Sequence, residues 1–310
     1  MKSHIRIGTR GSALAMYQAV LVESKLKHFF PMLSIEIIKI KTKGDMIRRG
    51  GLSAIGRGIF TREIEEALLR NEVDLAVHSG KDLESELPNG LELGAILERE
   101  DSRDCLIATH NRKMKDFKPG AKIGTSSLRR KAQLKRLNPR FEILDLRGNV
   151  DSRVKKVQAG EYDGIVLAAA GVNRLGLKDS VSEILDSSQF LPQAAQGAIA
   201  VEIRVNDPET KELVSSLNHE ESFVQVRAER SFLRALHGGC QVPIGIASRL
   251  EQSTLSLEGA VFSLDGSQEI RNKISGLAHQ AEILGKQLAG MILDSGGDDI
   301  LREVRAVLEK

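Results

Sequence analysis

Ala121-Lys122-Ile123-Gly124-Thr125-Ser126-Ser127-Leu128-Arg129-Arg130 reads as a short strand, a run of hydroxyls, and the start of a helix that carries two arginines. The same succession recurs through the first two thirds of the chain. Strand His4–Gly8 runs into Thr9-Arg10-Gly11-Ser12, and strand Val73–His78 into Ser79-Gly80-Lys81-Asp82. Strand Phe141–Leu146 runs into Arg147-Gly148-Asn149 and then Asp151-Ser152-Arg153, and strand Gly164–Ala169 is followed by Gly171 and Arg174. Between them, Ser12 suits the N-cap of an apolar-periodic helix to about Phe30, Ser34–Ile40 is strand-like, and Thr61–Arg70 reads as a helix with acids early and Arg70 late. This alternation predicts α/β domains with largely parallel sheets.

In open α/β sheets, ligands bind beyond the carboxyl ends of the strands. Hydroxyls and free N–H groups at helix starts take anions there, and arginine adds a planar, always-charged fork that fits a carboxylate or phosphate. A lone arginine in a first helical turn reads as a solvated surface charge. Five polar strand ends, four of them with arginine, predict a cation-lined cleft for a ligand with several negative groups. Asp82 is the acid among these residues. It reads either as the ion-pair partner of Lys81 or as a carboxylate kept ionised by its surroundings that stabilises positive charge developing on a substrate.

The chain has 310 residues, of which 41% are hydrophobic and 28% charged, with a net charge of +3. That length suits two or three domains. The mild charge, the absence of Trp and an aromatic content of 4% argue against nucleic acid as a partner. Cys105 and Cys240 are far apart and sit in no CxxC or Cys/His pattern, which argues against a disulfide framework or a metal site. Met1–Gly8 has no apolar signal core and no run is long enough to span a bilayer, so a cytoplasmic setting without membrane contact is expected.

The last third is organised differently. Asn218–Glu221 suits a capping box for a helix to about Leu236. Strand-like runs Ile244–Leu250, Thr254–Leu264 and Glu269–Ser275 follow, the last two joined through Asp265-Gly266-Ser267, and Ala278–Ser295 and Asp298–Leu308 look helical. This predicts a smaller α+β domain. At its first helix–strand junction lies His237-Gly238-Gly239-Cys240-Gln241-Val242-Pro243-Ile244-Gly245. Glycines strip bulk from around the thiol and Pro243 stiffens the loop beyond it. Two readings stay open on local sequence: an inert buried cysteine in a tight turn, or a thiol presented for a covalent bond to something large. Three further residues read blandly: His78 as a hydrogen-bonded structural histidine, His237 as part of a helix end, and Cys105 as a small apolar residue.

Taken in order, Thr9–Ser12, Ala76–Asp82, Gly124–Arg130, Leu146–Val150, Leu167–Gly176, Gln196–Ala198 and Gly238–Gly245 resemble the porphobilinogen deaminase (hydroxymethylbilane synthase) family. The resemblance implies a transferase of tetrapyrrole (haem) biosynthesis that joins four porphobilinogen molecules head to tail with loss of ammonia. It implies a dipyrromethane cofactor held by thioether at Cys240 and a catalytic carboxylate at Asp82. It also implies that Arg10, Ser12, Lys81, Thr125, Ser126, Ser127, Arg129, Arg130, Arg147, Arg153, Arg174 and Gln196 bind the acids of cofactor and substrate. The implied fold has two periplasmic-binding-protein-like α/β domains, residues 1–98 with 197–217 and residues 99–196, plus an α+β domain at 218–310 that carries the cysteine loop. A monomer without metal or nucleotide is implied.

The chain departs from the family pattern at several points. Gly51–Phe60 resembles a glycine-rich lid that has lost one glycine and has Arg57 where lysine is usual, with Phe60 at its end. Gly80 replaces a larger apolar residue, Glu84 stands where proline is common, and Ala195 replaces a glycine. Activity with slower turnover is expected. A non-catalytic two-lobed anion-binding protein, or a regulator sensing a small acid, would use the same arginines but leaves the glycine-flanked Cys240 unexplained; cofactor attachment separates them.

Overall fold

The computed structural model describes residues 2–46, 58–238 and 242–308. The chain forms two compact units, Met1–Glu100 with Ala198–Val226 and Asp101–Gly197 with Arg227–Lys310.

The first unit opens with β1 (His4–Thr9), α1 (Ala13–Phe29) and β2 (Ser34–Lys39). Ser12 caps α1 by accepting the Ala15 N–H, as its position predicts. A single turn, α2 (Lys43–Met46), then α3 (Arg62–Leu69), β3 (Leu75–Ser79) and β4 (Leu91–Ile96) follow. The chain then builds the second unit's sheet from β5 (Asp104–Ala108), β6 (Lys122–Gly124), α4 (Leu128–Leu137), β7 (Glu142–Leu144), α5 (Val150–Gln158), β8 (Gly164–Ala168), α6 (Ala169–Arg174) and β9 (Glu183–Ile184). It returns to the first unit for β10 (Ile199–Arg204) and α7 (Pro208–Ser215), and leaves it within α8 (Glu220–Ala235).

The two α/β sheets have orders β2-β1-β3-β10-β4 and β7-β6-β8-β5-β9. They are largely parallel, as predicted, but each holds one reversed strand: β10 is antiparallel to β3 and β4, and β5 to β8 and β9. A strand buried on both faces has the same apolar composition in either direction, so alternation of elements does not reveal the reversal. Apolar side chains from both faces close the cores, with Ile5, Val22, Leu26, Val77 and Val201 packed in the first unit and Ile107, Val154, Ile165, Leu167 and Val172 in the second.

The last third is the predicted antiparallel sheet, β11 (Ile244–Glu251), β12 (Thr254–Phe262) and β13 (Glu269–Leu277), followed by α9 (Ala281–Ile292) and α10 (Asp298–Leu308). Phe262 and Ala260 of β12 pack on Ala132 of α4 and on Leu191, which joins this sheet to the α/β part of its unit. The predicted cap of α8 is corrected. His219, not Asn218, accepts the Ser222 N–H through Nδ1, while the Asn218 side-chain Oδ1 accepts the N–H of Ile96. His78 is a buried structural histidine as expected, with Nε2 3.1 Å from Glu202 Oε2.

Candidate active site

In the first unit β1 lies beside and parallel to β3, so their carboxyl ends share one edge of the sheet. Arg10 and Ser12 follow β1; Lys81 and Asp82 sit in a single 3₁₀ turn, Gly80–Asp82, that follows β3. Gln18, buried in α1, donates to Ser79 Oγ at 2.9 Å and ties the helix to the last residue of β3. Asp82 and Lys81 are half-buried. Arg10 is already engaged: Nη2 is 2.5 Å from Asp45 Oδ1, and its guanidinium lies 4.2 Å from the centre of the Phe60 ring. Burial works against the Asp45 charge, but the hydrogen bond and charge of Arg10 outweigh it and hold that carboxyl below its usual value. Gly80 donates its N–H to Ala198 O, and Glu84 accepts the Gly58 N–H at 2.9 Å, so two of the departures from the family pattern have defined local roles.

The second unit repeats this arrangement. β6 lies between β7 and β8, all parallel, and their carboxyl ends present Thr125–Ser127, Arg147 with Arg153, and Arg174 along one edge. Ser127 caps α4. Ser126 Oγ donates to Leu146 O and accepts Leu146 N–H, which fixes the loop that starts at Arg147. Thr125 is buried and accepts the Ser127 N–H. Arg147 is half-buried; Arg153 donates to Gly148 O, and Arg174 to Gly197 O at 2.6 Å.

Arg129 and Arg130 are not the solvated first-turn charges that position alone suggests: they are 3% and 7% exposed. Both grip Asp104, the fully buried first residue of β5, with Arg129 Nη1 2.7 Å from Oδ2 and Arg130 Nη2 2.6 Å from Oδ1. Buried Gln196 completes the cluster, donating to Asp104 Oδ1 at 2.9 Å and to Ser102 O. Burial opposes the Asp104 charge, yet the two guanidiniums outweigh it and hold the carboxyl far below the ordinary range. Asp104 was not singled out from the sequence. Its only signal is an acid directly before the apolar run Cys105-Leu106-Ile107, at the end of the charged stretch Glu98–Asp104.

One carboxylate serves two guanidiniums, so the cluster retains a net positive charge. Among the described residues, Arg129 Nε and Nη2 are buried without a hydrogen-bond partner. Unused buried donors on a charged group are costly, and a carboxylate that reached them would satisfy them. The donor set therefore fits a group that carries carboxylates. Cys240 and Arg57 lie outside the described residues. In the chain Cys240 falls between α8 and β11, and close packing fixes Gly245 within β11: a Cβ there would meet Leu191 Cβ at 2.6 Å.

Fold and site together define an α/β protein in which each unit presents arginines and hydroxyls at the carboxyl ends of its parallel strands. Comparison with known proteins makes the class specific. Residues 5–212 match the family model described as porphobilinogen deaminase, dipyromethane cofactor binding domain, and residues 223–294 match the porphobilinogen deaminase C-terminal domain. Porphobilinogen deaminase of Syntrophomonas wolfei is 47% identical over 303 residues, covering 97% of this chain and 99% of that one. The Thermus thermophilus protein of the same name is 46% identical, covering 96% and 98%. The chain belongs to the porphobilinogen deaminase family. Among solved structures, it is similar to the VFT2 domain of Bordetella pertussis BvgS at 15% identity and a TM-score of 0.42, covering 73% of this chain and 93% of that one.

Proposed function

We infer that the chain is a transferase, a hydroxymethylbilane synthase that condenses four porphobilinogen molecules head to tail, releases ammonia at each step, and serves tetrapyrrole (haem) biosynthesis. It is primed by a dipyrromethane cofactor. The observation that carries this reading is the match of both family domains across nearly the whole chain. The buried Arg129–Asp104–Arg130 cluster with its unused donors supports it. Three domains are proposed: residues 1–98 with 197–217, 99–196, and 218–310. The separate three-stranded sheet inside the second unit supports the last division.

We assign the thioether attachment to Cys240 and the catalytic carboxylate to Asp82. The cofactor, when bound, supplies the first free pyrrole α-position for elongation. The C–N bond of the incoming porphobilinogen's protonated aminomethyl group breaks, its electron pair leaves with the nitrogen as ammonia, and a cationic methylene-pyrrolenine remains. Asp82, beside the reacting ring, accepts pyrrole N–H hydrogen bonds and stabilises that cation. Attack by a pyrrole α-carbon forms the new C–C bond and sheds the α-proton. Each substrate ring carries an acetate and a propionate. Arg129 offers its unused donors to these acids, while Arg10, Ser12, Lys81, Thr125, Ser126, Ser127, Arg130, Arg147, Arg153, Arg174 and Gln196 hold the rest of the site. Arg57 and Phe60 are assigned to the lid. We also assign the protein to the cytoplasm as a monomer.

Intact mass of the purified protein, with Cys240→Ser beside it, tests the reading. The expected result is an added mass of two porphobilinogens less two ammonias, absent from the variant, together with ammonia release on adding porphobilinogen. A chain that stays unmodified after incubation with porphobilinogen would overturn it.

A further inference from the structure

Three consecutive residues between β9 and β10 each make a long-range contact. The Ala195 N–H donates to Glu229 Oε2 of α8 at 2.6 Å. The Gln196 side chain donates to Asp104 and accepts from Arg130. The Gly197 carbonyl accepts from Arg174. The turn is conformationally demanding, with φ of +57° at Ala195 and +88° at Gly197. Glycine takes that backbone freely, whereas a residue with a Cβ is disfavoured there by about tenfold. Ala195 is nonetheless buried and held in it. Glu229 is fully buried, and its second oxygen accepts Ser248 Oγ of β11 at 2.5 Å.

We propose that Glu229 is a positioning residue: by holding Ala195 in its left-handed conformation it sets Gln196 and Gly197, and through them the Arg130 and Arg174 guanidiniums. This rests on the functional reading above, since it is those arginines that meet the acids of cofactor and substrate. Glu229 lies on α8, which precedes Cys240 in the chain, so this helix and the turn that carries Gln196 share one buried carboxylate. The Ala195 side chain makes the turn depend on that carboxylate more than a glycine would.

The test compares Glu229→Gln, Ala195→Gly and the double variant. Glu229→Gln replaces a charged acceptor with a neutral amide, so the hydrogen bond from the Ala195 N–H loses its charge assistance even where the amide oxygen still faces it. The Ala195 amide is expected to exchange with deuterium about tenfold faster, and KM for porphobilinogen to rise about tenfold with a smaller change in kcat. A lower fraction of molecules carrying the cofactor mass is expected as well. Adding Ala195→Gly, which removes the cost of the left-handed turn, restores KM and loading. A lower thermal midpoint with unchanged KM, loading and exchange at Ala195 would show a merely structural residue and overturn the proposal, as would a raised KM that Ala195→Gly does not restore. If Glu229→Gln gives no folded protein, Glu229→Asp, which withdraws the charge by one methylene, carries the same expectations. A wild-type chain without cofactor mass sinks the functional reading instead, and the exchange measurement at Ala195 still decides this one.

Discussion

Replacing Asp104 by Asn removes the carboxylate charge that pairs with two buried guanidiniums. Asp104 is 0% exposed and takes hydrogen bonds from Arg129 at 2.7 Å, Arg130 at 2.6 and 3.1 Å, and Gln196 at 2.9 Å. Removing one partner of a buried ion pair costs about 3–5 kcal/mol, because the other charge is left uncompensated. Asn also turns an NH₂ toward donors that have no acceptor to spare. For a unit of this size each kcal/mol moves the thermal midpoint by roughly 2–4 °C, so the second unit is expected to unfold about 6–20 °C lower at pH 7. The pH dependence carries a sign. The folded carboxyl lies far below its ordinary value, because the two arginines outweigh the effect of burial. Its stabilisation is therefore present in full above the unfolded-chain value of about 3.9 and is lost as pH falls from there toward the folded value. Wild type and Asp104→Asn should converge in acid and separate at neutral pH. Calorimetric scans of both proteins between pH 7 and pH 3 check this. A difference at pH 7 within about 0.5 kcal/mol, the range of ordinary surface substitutions, or a gap that does not narrow in acid, would refute the account of Asp104 as the counter-ion of the pair.

Asp82→Asn is expected to lower turnover by on the order of 10²–10³ with no change in unfolding beyond about 0.5 kcal/mol, because the side chain is half-buried on a one-turn loop; steady-state kinetics beside a melting curve separate the two effects, and retained wild-type turnover would remove Asp82 from the mechanism. Burial first, then the neighbouring Asp104 charge, push the Cys105 thiol up to about 12. Alkylation at pH 8 should therefore leave Cys105 unmodified in the native protein and label it after unfolding, as peptide mass mapping would show; rapid native labelling would contradict its burial.

The strand ends were legible because each relies on short-range chemistry. A capping Ser12, the hydroxyl run Thr125–Ser127 and the turn at Asp265–Ser267 act within a few residues of themselves, and all three stand where the sequence puts them. What was not legible depends on partners distant in sequence. The burial of Arg129 and Arg130 needs an acid some 25 residues upstream, and nothing in the LRR segment announces it. His219 takes over the α8 cap while the Asn218 side chain is drawn to the Ile96 N–H at the end of β4. Ala195 looks like an ordinary small residue; its positive φ follows from the buried carboxylate of Glu229.

The reversed strands explain why Asp104 lies where it does. In each α/β sheet the strand that runs against the others follows directly on a crossing between the units: the second unit begins at Asp101 and β5 at Asp104, while the first unit resumes at Ala198 and β10 at Ile199. Parallel strands present their helix starts, hydroxyls and arginines at one edge of the sheet. A reversed strand brings its first residue to that same edge, so Asp104 can meet Arg129 and Arg130, which follow the carboxyl end of β6. Gln196, near the end of this stretch of the second unit, then bonds both Asp104 and the Ser102 carbonyl near its start. The counter-ion of the arginine pair is thus supplied by the first residue of the reversed strand and not by the helix that carries the pair. A substitution in either crossing segment should therefore reach these arginines directly, whereas an equal change at the far ends of β6 or β8 reaches them only through the packed core.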